Sequence, residues 1–330
     1  MLYPLVFRPY LRPMVWGGEK IAVYKQIQTD IHSIGESWEI SGYGDHLTFV
    51  ANGPLAGKSI AEVVKEFQAE LVGKKVFAAN GDEFPLLIKF IDAQGDLSIQ
   101  VHPNDEMAVK HHGSGMKGKT EMWYVVDADP GACLYSGIKK PVTPEEYAAK
   151  VEDGTITDIL ARYEVHEGDV FFLPAGRIHA ICSGCLIAEI QQTSDLTYRI
   201  YDYGRKGLDG KPRQLHTELA KEAIDYTVYP SYKTDYTPKL NEEVQVVSCR
   251  YFTTAIDDLT KPIEKDLKDL DSFLVVMCLR GHGCLIDTEQ DGELYTLHLH
   301  QGETVLIPAS SQSVRFEPEG AMKLLTSCIK

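Results

Sequence analysis

The feature that most limits the possible folds of this 330-residue chain is a short pattern that occurs twice. Gly168 is followed by an acid, an apolar run and a Pro-Ala pair at Pro174, and Gly302 begins the same order of residues, which ends at Pro308. An apolar run bounded by glycine and proline is typical of a short buried β-strand between two turns. The repeat therefore predicts two related β-units in tandem, joined by the aperiodic segment at residues 229–240.

Most of the remaining sequence also has the pattern of short strands. Runs rich in Val, Ile, Tyr and Phe are separated by Gly, Pro, Asp and Asn, as in a barrel or sandwich. Helix signals are few: capping boxes begin at Ser59 and at Thr143, and the run LHTELAKEAIDYTV from Leu215 has helical spacing. We predict a mainly β protein with two jelly-roll barrels: residues 1–235, with helical insertions at about 58–80 and 143–163, and residues 236–330.

Charge and composition argue against several kinds of partner. Lys and Arg number 33 against 48 Asp and Glu, which gives a net charge of −15 at pH 7. Such a surface repels nucleic-acid backbones and anionic headgroups, so we expect neither a nucleic acid nor a membrane as partner. Three early prolines interrupt the N-terminus, which lacks the apolar core of a signal peptide, and no segment approaches the ~20 apolar residues of a transmembrane helix.

The cysteines favour a reducing compartment. Their number, seven, is odd, and six lie in apolar or strand-like runs, as free core thiols of cytoplasmic proteins do. Cys182 and Cys185 have the spacing of a zinc knuckle or a redox pair, but a knuckle needs a second ligand pair and the redox motif needs a following helix. We predict a turn with buried thiols at this pair, and a cytoplasmic protein.

The first copy of the repeated pattern continues into a histidine. The string GDVFFLPAGRIH, residues 168–179, matches the second sequence motif of the cupins in full, and the chain resembles this superfamily of double-sheet barrels. The resemblance implies that His179 points into the first barrel. In the second copy Ser310 replaces the glycine and Ser313 replaces the histidine. We therefore expect a second barrel without metal ligands and with a structural role.

Further metal-binding side chains lie upstream of His179. The run LSIQVHPND alternates apolar and polar residues, so Gln100 and His102 project from one face of a strand, and Glu121 lies near the start of another apolar strand. Two imidazoles, a carboxylate and an amide oxygen suit one Zn²⁺ or another divalent first-row metal, and leave a net charge near +1 that can polarise a carbonyl. Either histidine alone also fits a hydrogen-bonded structural role.

The strings together resemble one family, the type I mannose-6-phosphate isomerases of the shorter bacterial kind. The resemblance spans most of residues 15–225, and its most specific stretches are LSIQVHPND, GKTEMWYVV, PAGRIHAI and EIQQTSDLTYRIYDYGR. It implies a zinc enzyme that interconverts mannose 6-phosphate and fructose 6-phosphate through a cis-enediol. It also implies roles for individual residues: Gln100, His102, Glu121 and His179 as metal ligands, Arg199 as a catalytic residue, and Lys89 and Lys119 as substrate-binding residues.

Several roles have alternatives. Both lysines also fit surface or strand-edge cations, and Arg199 also fits a salt bridge with Asp202. The tryptophans fit either the core or the sugar pocket, and His111 with His112 fits a solvated surface pair. The residues leave the proton-transferring base open between a metal-bound water, a ligand-adjacent histidine, Glu36, Glu39, Lys119 and Asp195.

Two other functions fit the same barrel. One is a metal-dependent isomerase or epimerase of a different phosphosugar. The other is a sugar-binding regulatory cupin without turnover. A panel of phosphorylated and free hexoses separates the first from a mannose-6-phosphate isomerase, and the exchange of solvent deuterium into C1 or C2 of the sugar separates the second. The expected partner is a small phosphosugar in each case, and the sequence predicts no particular oligomeric state.

Overall fold

The computed structural model, which describes residues 2–288 and 294–330, confirms a mainly β protein. Buried and exposed residues alternate along some strands, such as Leu294–His300, whereas central strands such as Leu86–Ala93 and Cys185–Gln192 are buried on both faces. The strands of the first part of the chain are β1 (Leu5–Arg8), β2 (Tyr10–Gly18), β3 (Ile34–Ile40), β4 (Phe49–Val50), β5 (Leu86–Ala93), β6 (Ile99–Val101), β7 (Glu121–Ala128), β8 (Cys133–Ile138), β9 (Leu160–Glu164), β10 (Val170–Leu173), β11 (His179–Ile181), β12 (Cys185–Gln192), β13 (Tyr198–Tyr201) and β14 (Lys233–Thr234). Those of the second part are β15 (Glu243–Ser248), β16 (Thr253–Leu259), β17 (Ile263–Asp266), β18 (Leu274–Arg280), β19 (His282–Thr288), β20 (Leu294–His300), β21 (Thr304–Ile307), β22 (Ser313–Pro318) and β23 (Met322–Cys328).

Four antiparallel sheets form two barrels. The first barrel has a seven-stranded sheet, in the order β14-β10-β7-β12-β5-β3-β2, and a five-stranded sheet, β13-β6-β11-β8-β9. The second has a seven-stranded sheet, β15-β16-β23-β18-β21-β1-β4, and a four-stranded sheet, β17-β22-β19-β20. Apolar side chains from both sheets form the core of each barrel, as Val125 with Leu134 and Val276 with Leu285 illustrate. The predicted pair of tandem cupin barrels is confirmed.

The repeated sequence pattern has a conformational cause. Gly168 and Gly302 both have positive φ, +93° and +82°, which side chains rarely tolerate. Each glycine turns the chain into a strand with buried apolar residues, β10 or β21, and proline follows each strand because it cannot donate to the ladder. The two strands occupy inner positions in their seven-stranded sheets. The repeat thus records one turn-strand-turn unit used in both barrels.

Short helices connect the strands. Both predicted capping boxes are present, at Ser59 with Glu62 and at Thr143 with Glu146. The run predicted as one helix after Ser59 is divided, because Gln68 adopts a φ of +48°. The helices are α1 (Lys20–Tyr24), α2 (Ile60–Phe67), α3 (Ala69–Val72), α4 (Lys74–Asn80), α5 (Asp105–His112), α6 (Pro144–Glu152) and α7 (Thr217–Ala223), with a 3₁₀ helix at Ile156–Ile159. Among the described residues, none of the helices has the length and apolar character needed to cross a bilayer.

The two parts of the chain are joined at several places. The first strand, β1, belongs to a sheet of the second barrel, where Leu5 is paired with Leu306. The segment 229–240 contributes β14, which pairs with β10, and Tyr232, whose hydroxyl donates to the carbonyl of Ile138 at 2.8 Å. The division between residues 235 and 236 stays a prediction.

The cysteines have the state that the sequence predicts. All seven are free thiols. Cys182 and Cys185 flank the turn between β11 and β12, and both are buried. The prediction of a turn with buried thiols is therefore confirmed.

A buried ion pair also joins the two barrels. Lys25 Nζ lies 2.7 Å from Glu39 Oε2, and the two side chains are 6% and 3% exposed. The same ammonium donates to the carbonyl oxygen of Gly302, and Ser37 Oγ donates to the other oxygen of Glu39 at 2.6 Å. Because Gly302 precedes β21, this contact ties the end of α1 to the second barrel.

We expect Lys25→Met to lower the free energy of unfolding by about 3 kcal/mol, because it leaves the Glu39 carboxylate buried without its counter-ion. Denaturant unfolding measures this loss. Adding Glu39→Gln should recover much of it, since no unpaired charge then remains. The control is Lys20→Met: Lys20 pairs with Asp129 at 2.8 Å, but the side chains are 31% and 59% exposed, so the expected loss is below about 1 kcal/mol. Equal losses in the two single variants would refute this account of the Lys25 pair.

Candidate active site

The register of the five-stranded sheet places three predicted site residues in one row. β6 lies between β11 and β13, and Gln100 is the cross-strand neighbour of both His179 and Arg199. Side chains directly opposite one another in a sheet point to the same face. His179, Gln100 and Arg199 therefore face the same side of this sheet.

The seven-stranded sheet presents a second row. Lys89 on β5 is opposite Trp38 on β3 and Glu189 on β12, and Glu189 is in turn opposite Trp123 on β7. The ring centroids of Trp123 and His179 are 5.2 Å apart. The two rows thus meet across the interior of the first barrel.

Three predicted ligands converge where the rows meet. The Nε2 atoms of His102 and His179 lie 3.5 Å and 3.3 Å from the two carboxylate oxygens of Glu121. One donor atom from each residue lies within 4.8 Å of the others, and all three side chains are buried. The amide of Gln100 adjoins the group, with Nε2 3.3 Å from His179 Nε2. Rotating the Gln100 amide by 180° exchanges its nitrogen and oxygen, which are similar in size, and would direct the oxygen at the cluster instead.

Backbone carbonyls determine which nitrogen of each imidazole can bind a metal. His102 Nδ1 donates to the carbonyl of Leu196 and His179 Nδ1 donates to that of Arg177, both at 2.8 Å. Each Nε2 then carries a lone pair directed at the cluster. Burial lowers the pKa of His102 well below its ordinary value and that of His179 to about 3. Both rings are therefore neutral at pH 7, as metal ligation requires.

The cluster has the properties of a cation site. His102 Nε2 and both carboxylate oxygens of Glu121 are fully buried and lack a hydrogen bond of good geometry among the described residues, although Lys119 Nζ lies 3.3 Å from one oxygen. Unpaired polar atoms of this kind are costly in a dry interior. Burial, aided by the charge of Glu189, raises the pKa of Glu121 against the opposing effect of Lys119. A divalent cation would pair all three atoms at once, so the residues fit a metal.

A cavity of about 210 Å³ lies beside the cluster. Among the described residues that line it, five cations face three carboxylates, on a protein whose net charge is −15. Three of the cations, Lys89, Lys119 and Arg199, were predicted from the sequence. Arg12 and Arg213 were not, because one lies in the proline-rich N-terminus and the other in an irregular loop. The cation excess suits an anionic ligand.

Lys89 and Arg199, two of the predicted cations, are held by specific contacts. Lys89 is 2% exposed, between Glu36 at 3.8 Å and Glu189 at 3.5 Å, and its ammonium lies over the Trp38 ring at 4.7 Å. Arg199 donates from Nε to Ser98 Oγ at 3.3 Å and from Nη1 to the carbonyl of Gln214 at 2.9 Å.

The alternative partner proposed for Arg199 has other contacts. The carboxylate of Asp202 pairs with Arg205 at 2.7 Å and Arg213 at 3.4 Å. Arg199 instead donates to the neutral oxygens of a hydroxyl and a carbonyl. This arrangement leaves its positive charge available to a ligand.

The base candidates occupy different surroundings. Glu39 belongs to the buried pair with Lys25, whereas Glu36 and Asp195 line the cavity and both pair with Arg12. Although burial opposes it, the charges of Lys89 and Arg12 hold the pKa of Glu36 below its ordinary value. A carboxylate with a lowered pKa is a weak base, so Glu36 suits an electrostatic role better than proton transfer.

The remaining predicted residues fall into two groups. All three tryptophans, Trp16, Trp38 and Trp123, are buried in the core. Two of them, Trp16 and Trp123, also line the cavity, so each belongs both to the core and to the pocket. His111 and His112 lie on the exposed end of α5, as predicted.

The second barrel contributes a brace for the strand of Glu121. Tyr251 donates its hydroxyl to one oxygen of Asp105 at 2.7 Å, and the other oxygen accepts from the backbone of Gly118 and from Gln192. Gln192 in turn accepts from the backbone N–H of Thr120 at 2.8 Å. This chain of contacts fixes the segment that leads into Glu121. Asp105, Tyr251 and Gln192 also line a larger cavity of about 610 Å³, whose lining includes none of the seven predicted site residues.

The fold and the site together define a class: a two-barrel cupin with a metal-capable centre beside a cavity suited to an anion. Comparison with known proteins identifies the family within this class. Residues 6–129 match the model of the type I phosphomannose isomerase catalytic domain, and residues 242–329 match that of the mannose-6-phosphate isomerase cupin domain.

Complete protein sequences also match over most of this chain. Mannose-6-phosphate isomerase ManA of Bacillus subtilis (strain 168) is 34% identical over 307 residues, which are 92% of this chain and 93% of the relative. Probable mannose-6-phosphate isomerase GmuF of the same organism is 40% identical over 242 residues, 73% of this chain and 74% of the relative. The crystal structure of a B. subtilis mannose 6-phosphate isomerase superposes with a TM-score of 0.83 at 30% identity, and covers 99% of each chain. This chain belongs to the type I phosphomannose isomerase family.

We expect His179→Ala to weaken Zn²⁺ binding at the first barrel by more than about 10-fold, because it removes a direct ligand. Loss of a residue that only hydrogen-bonds to a metal ligand already weakens binding by about 10-fold or more. Titration of the chelator-treated protein with Zn²⁺ measures it, and circular dichroism checks that the barrel stays folded. His216→Ala is the control, since His216 lines the cavity but lies outside the three-donor cluster. If the His179 variant binds the ion as tightly as the unaltered protein, the cluster is not the binding site.

Proposed function

We propose that this protein interconverts mannose 6-phosphate and fructose 6-phosphate, with one Zn²⁺ held by His102, Glu121, His179 and Gln100. The observation that supports this most directly is the buried cluster of two imidazoles and a carboxylate beside a cation-rich cavity. The chain's family supplies the substrate, since the relatives that cover most of its length are named for mannose 6-phosphate. Zn²⁺ suits the nitrogen and oxygen donors and the lack of cysteine among them.

The reaction needs three things from the protein. The protein has to move a proton between C1 and C2, stabilise the enediolate intermediate of the isomerisation, and hold the dianionic phosphate of the substrate. When bound, the metal supplies a Lewis acid for the sugar oxygens. The residues around it then have to orient the sugar and balance the charge that develops.

Arg199 is well placed for the developing charge. It is the direct neighbour of Gln100 in the sheet, and Ser98 and Gln214 fix its side chain through Nε and Nη1. Its other N–H groups have no protein partner within residues 2–288 and 294–330. A planar guanidinium held in this way can donate two parallel hydrogen bonds to an oxyanion or phosphate. We assign it the catalytic role.

Lys89 and Lys119 provide fixed positive charge. Each is buried and has a carboxylate partner, Glu189 for Lys89 and Glu121 for Lys119. Buried charges of this kind act strongly because little water screens them. We assign both lysines to substrate binding. The proton transfer is assigned to no residue, since a metal-bound water, a ligand-adjacent histidine, Lys119 and Asp195 each fit it.

We also propose a cytoplasmic location. The support is the free state of all seven cysteines, since oxidising compartments favour paired cysteines. A phosphosugar substrate fits the same location.

We expect removal of the metal by a chelator to abolish the conversion of mannose 6-phosphate, and added Zn²⁺ to restore it, because the cluster loses the cation that polarises the sugar. A coupled assay of fructose 6-phosphate formation measures this. A panel of other phosphosugars identifies a different substrate. Full activity in protein shown to be metal-free would overturn the metal requirement, and binding of the sugar with no deuterium exchange at C1 or C2 would indicate a non-catalytic cupin.

We expect Arg199→Lys to reduce kcat/KM at least about 100-fold, about 2.7 kcal/mol, with the metal content unchanged, because a point charge replaces a bidentate donor. Steady-state kinetics with metal analysis tests this. Arg205→Lys is the matched control: Arg205 is a nearby arginine that pairs with Asp202 and does not line the cavity, so its kcat/KM should stay near the original value. An unchanged kcat/KM for Arg199→Lys would remove this arginine from the site.

A further inference from the structure

The outer face of the second barrel carries metal-binding side chains that the proposed reaction does not use. We call Cys284 on β19, His298 on β20 and Glu319, which directly follows β22, the outer cluster. Alternation along the strands separates it from the core: Leu285 and Leu299, the next residues in each strand, are fully buried. Cys284 is partly exposed, and His298 and Glu319 are exposed.

Strand register brings the outer cluster together. Cys284 is the direct cross-strand partner of His298 in the β19–β20 pair. On the other side of β19, the backbone N–H of Glu319 donates to the carbonyl of His282 at 3.0 Å. Three adjacent strands therefore hold a thiol, an imidazole and a carboxylate on one face of the sheet. Since the sheet itself fixes these positions, little reorganisation is needed to bring the donors to one ion.

The distance between the thiol and the imidazole matches that between two ligands of one metal ion. Cys284 Sγ lies 3.6 Å from His298 Nδ1. Zinc binds sulfur at about 2.3 Å and imidazole nitrogen at about 2.05 Å, so a tetrahedral angle places these two atoms about 3.6 Å apart. One donor atom from each member of the outer cluster lies within 4.8 Å of the others. Cys284 and His298 thus already have the spacing of two zinc ligands, and the Glu319 carboxylate lies close to both.

We propose that the outer cluster is a second metal site, for Zn²⁺ or another first-row divalent ion with affinity for thiolate. His282 Nε2 lies 3.5 Å from Glu319 Oε2 but is not one of the donors that lie within 4.8 Å of one another, so solvent water completes the tetrahedral set. A sulfur, an imidazole nitrogen and a carboxylate oxygen are all ligand types that zinc accepts. On binding, the Cys284 thiol loses its proton to solvent and the thiolate forms the bond to the metal.

The outer cluster differs from the proposed active site in chemistry and in exposure. The first site contains no sulfur and is buried, whereas the outer cluster contains Cys284 and opens to solvent. It also lies apart from the position that the cupin motif gives to a ligand, which Ser313 occupies in the second barrel. An ion here would join β19, β20 and β22, and so raise the stability of the second barrel without a role in the sugar chemistry.

Cobalt distinguishes the two sites, because Co²⁺ bound to thiolate has a near-ultraviolet charge-transfer band that nitrogen and oxygen ligands do not give. We expect the metal-free, reduced protein to bind two Co²⁺ per chain and to show this band. Cys284→Ser should abolish the band and leave one Co²⁺ per chain. It should also leave the isomerase activity of the zinc-loaded protein unchanged.

Two further variants complete the test. His298→Ala should weaken the binding that gives the band by more than about 10-fold, and it keeps the thiol in place. Cys249→Ser, at another partly exposed cysteine, should retain the band. The absence of the band in the unaltered protein, or its persistence in Cys284→Ser, would overturn the second site. Because the band does not depend on turnover, this result is independent of whether the protein is an isomerase.

Discussion

The arrangement of the first barrel depends on the exclusion of water from three donor atoms. His102, Glu121 and His179 are buried, and carbonyl groups hold both histidines in the tautomer whose free nitrogen faces the carboxylate. This arrangement is unfavourable, since a carboxylate and two lone pairs are directed at one another in a dry space, and Lys119, 3.3 Å from one carboxylate oxygen, offsets only part of the cost. The surrounding sheet imposes the geometry through cross-strand register rather than through the side chains themselves. The fold therefore holds these side chains in a geometry that favours cation binding. The same strands also position the cavity beside the cluster.

The sequence predicts the parts of the site that depend on local pattern. Alternation in LSIQVHP places Gln100 and His102 on one face, and the Gly-to-His string places His179 at the start of β11. The sequence does not predict the parts of the site that depend on which strands pair and in which register. Arg12 reaches the cavity because β2 pairs with β3, which sets it opposite Glu36. Arg213 lies in a loop without periodicity, and the neighbourhood of Arg199 and Gln100 follows from the pairing of β13 with β6.

The same distinction applies to the fold. Capping boxes identify α2 and α6, because the signal lies within four residues. The break at Gln68 and the helix α5, which begins after Asn104, were not predicted. In α5 the Asn104 side chain accepts from the backbone N–H of Met107 at 2.8 Å, but no glutamate completes the box. The glycine repeat predicts two barrels correctly, since a positive φ is a local requirement that sequence records directly.

The pairing of β1 with β21 has a consequence for how the chain is made. Leu5 emerges from the ribosome about three hundred residues before Leu306, its partner in the sheet. Although β1 can pair with β4 early, the part of β1 that pairs with β21 keeps unpaired backbone groups until synthesis nears its end, and such groups promote wrong association. The contact also has a very long sequence separation, which slows folding. The nascent protein should thus depend on chaperones for longer than its modest size suggests, and a fragment ending before β21 would leave Leu5 and Val6 permanently without their strand partners.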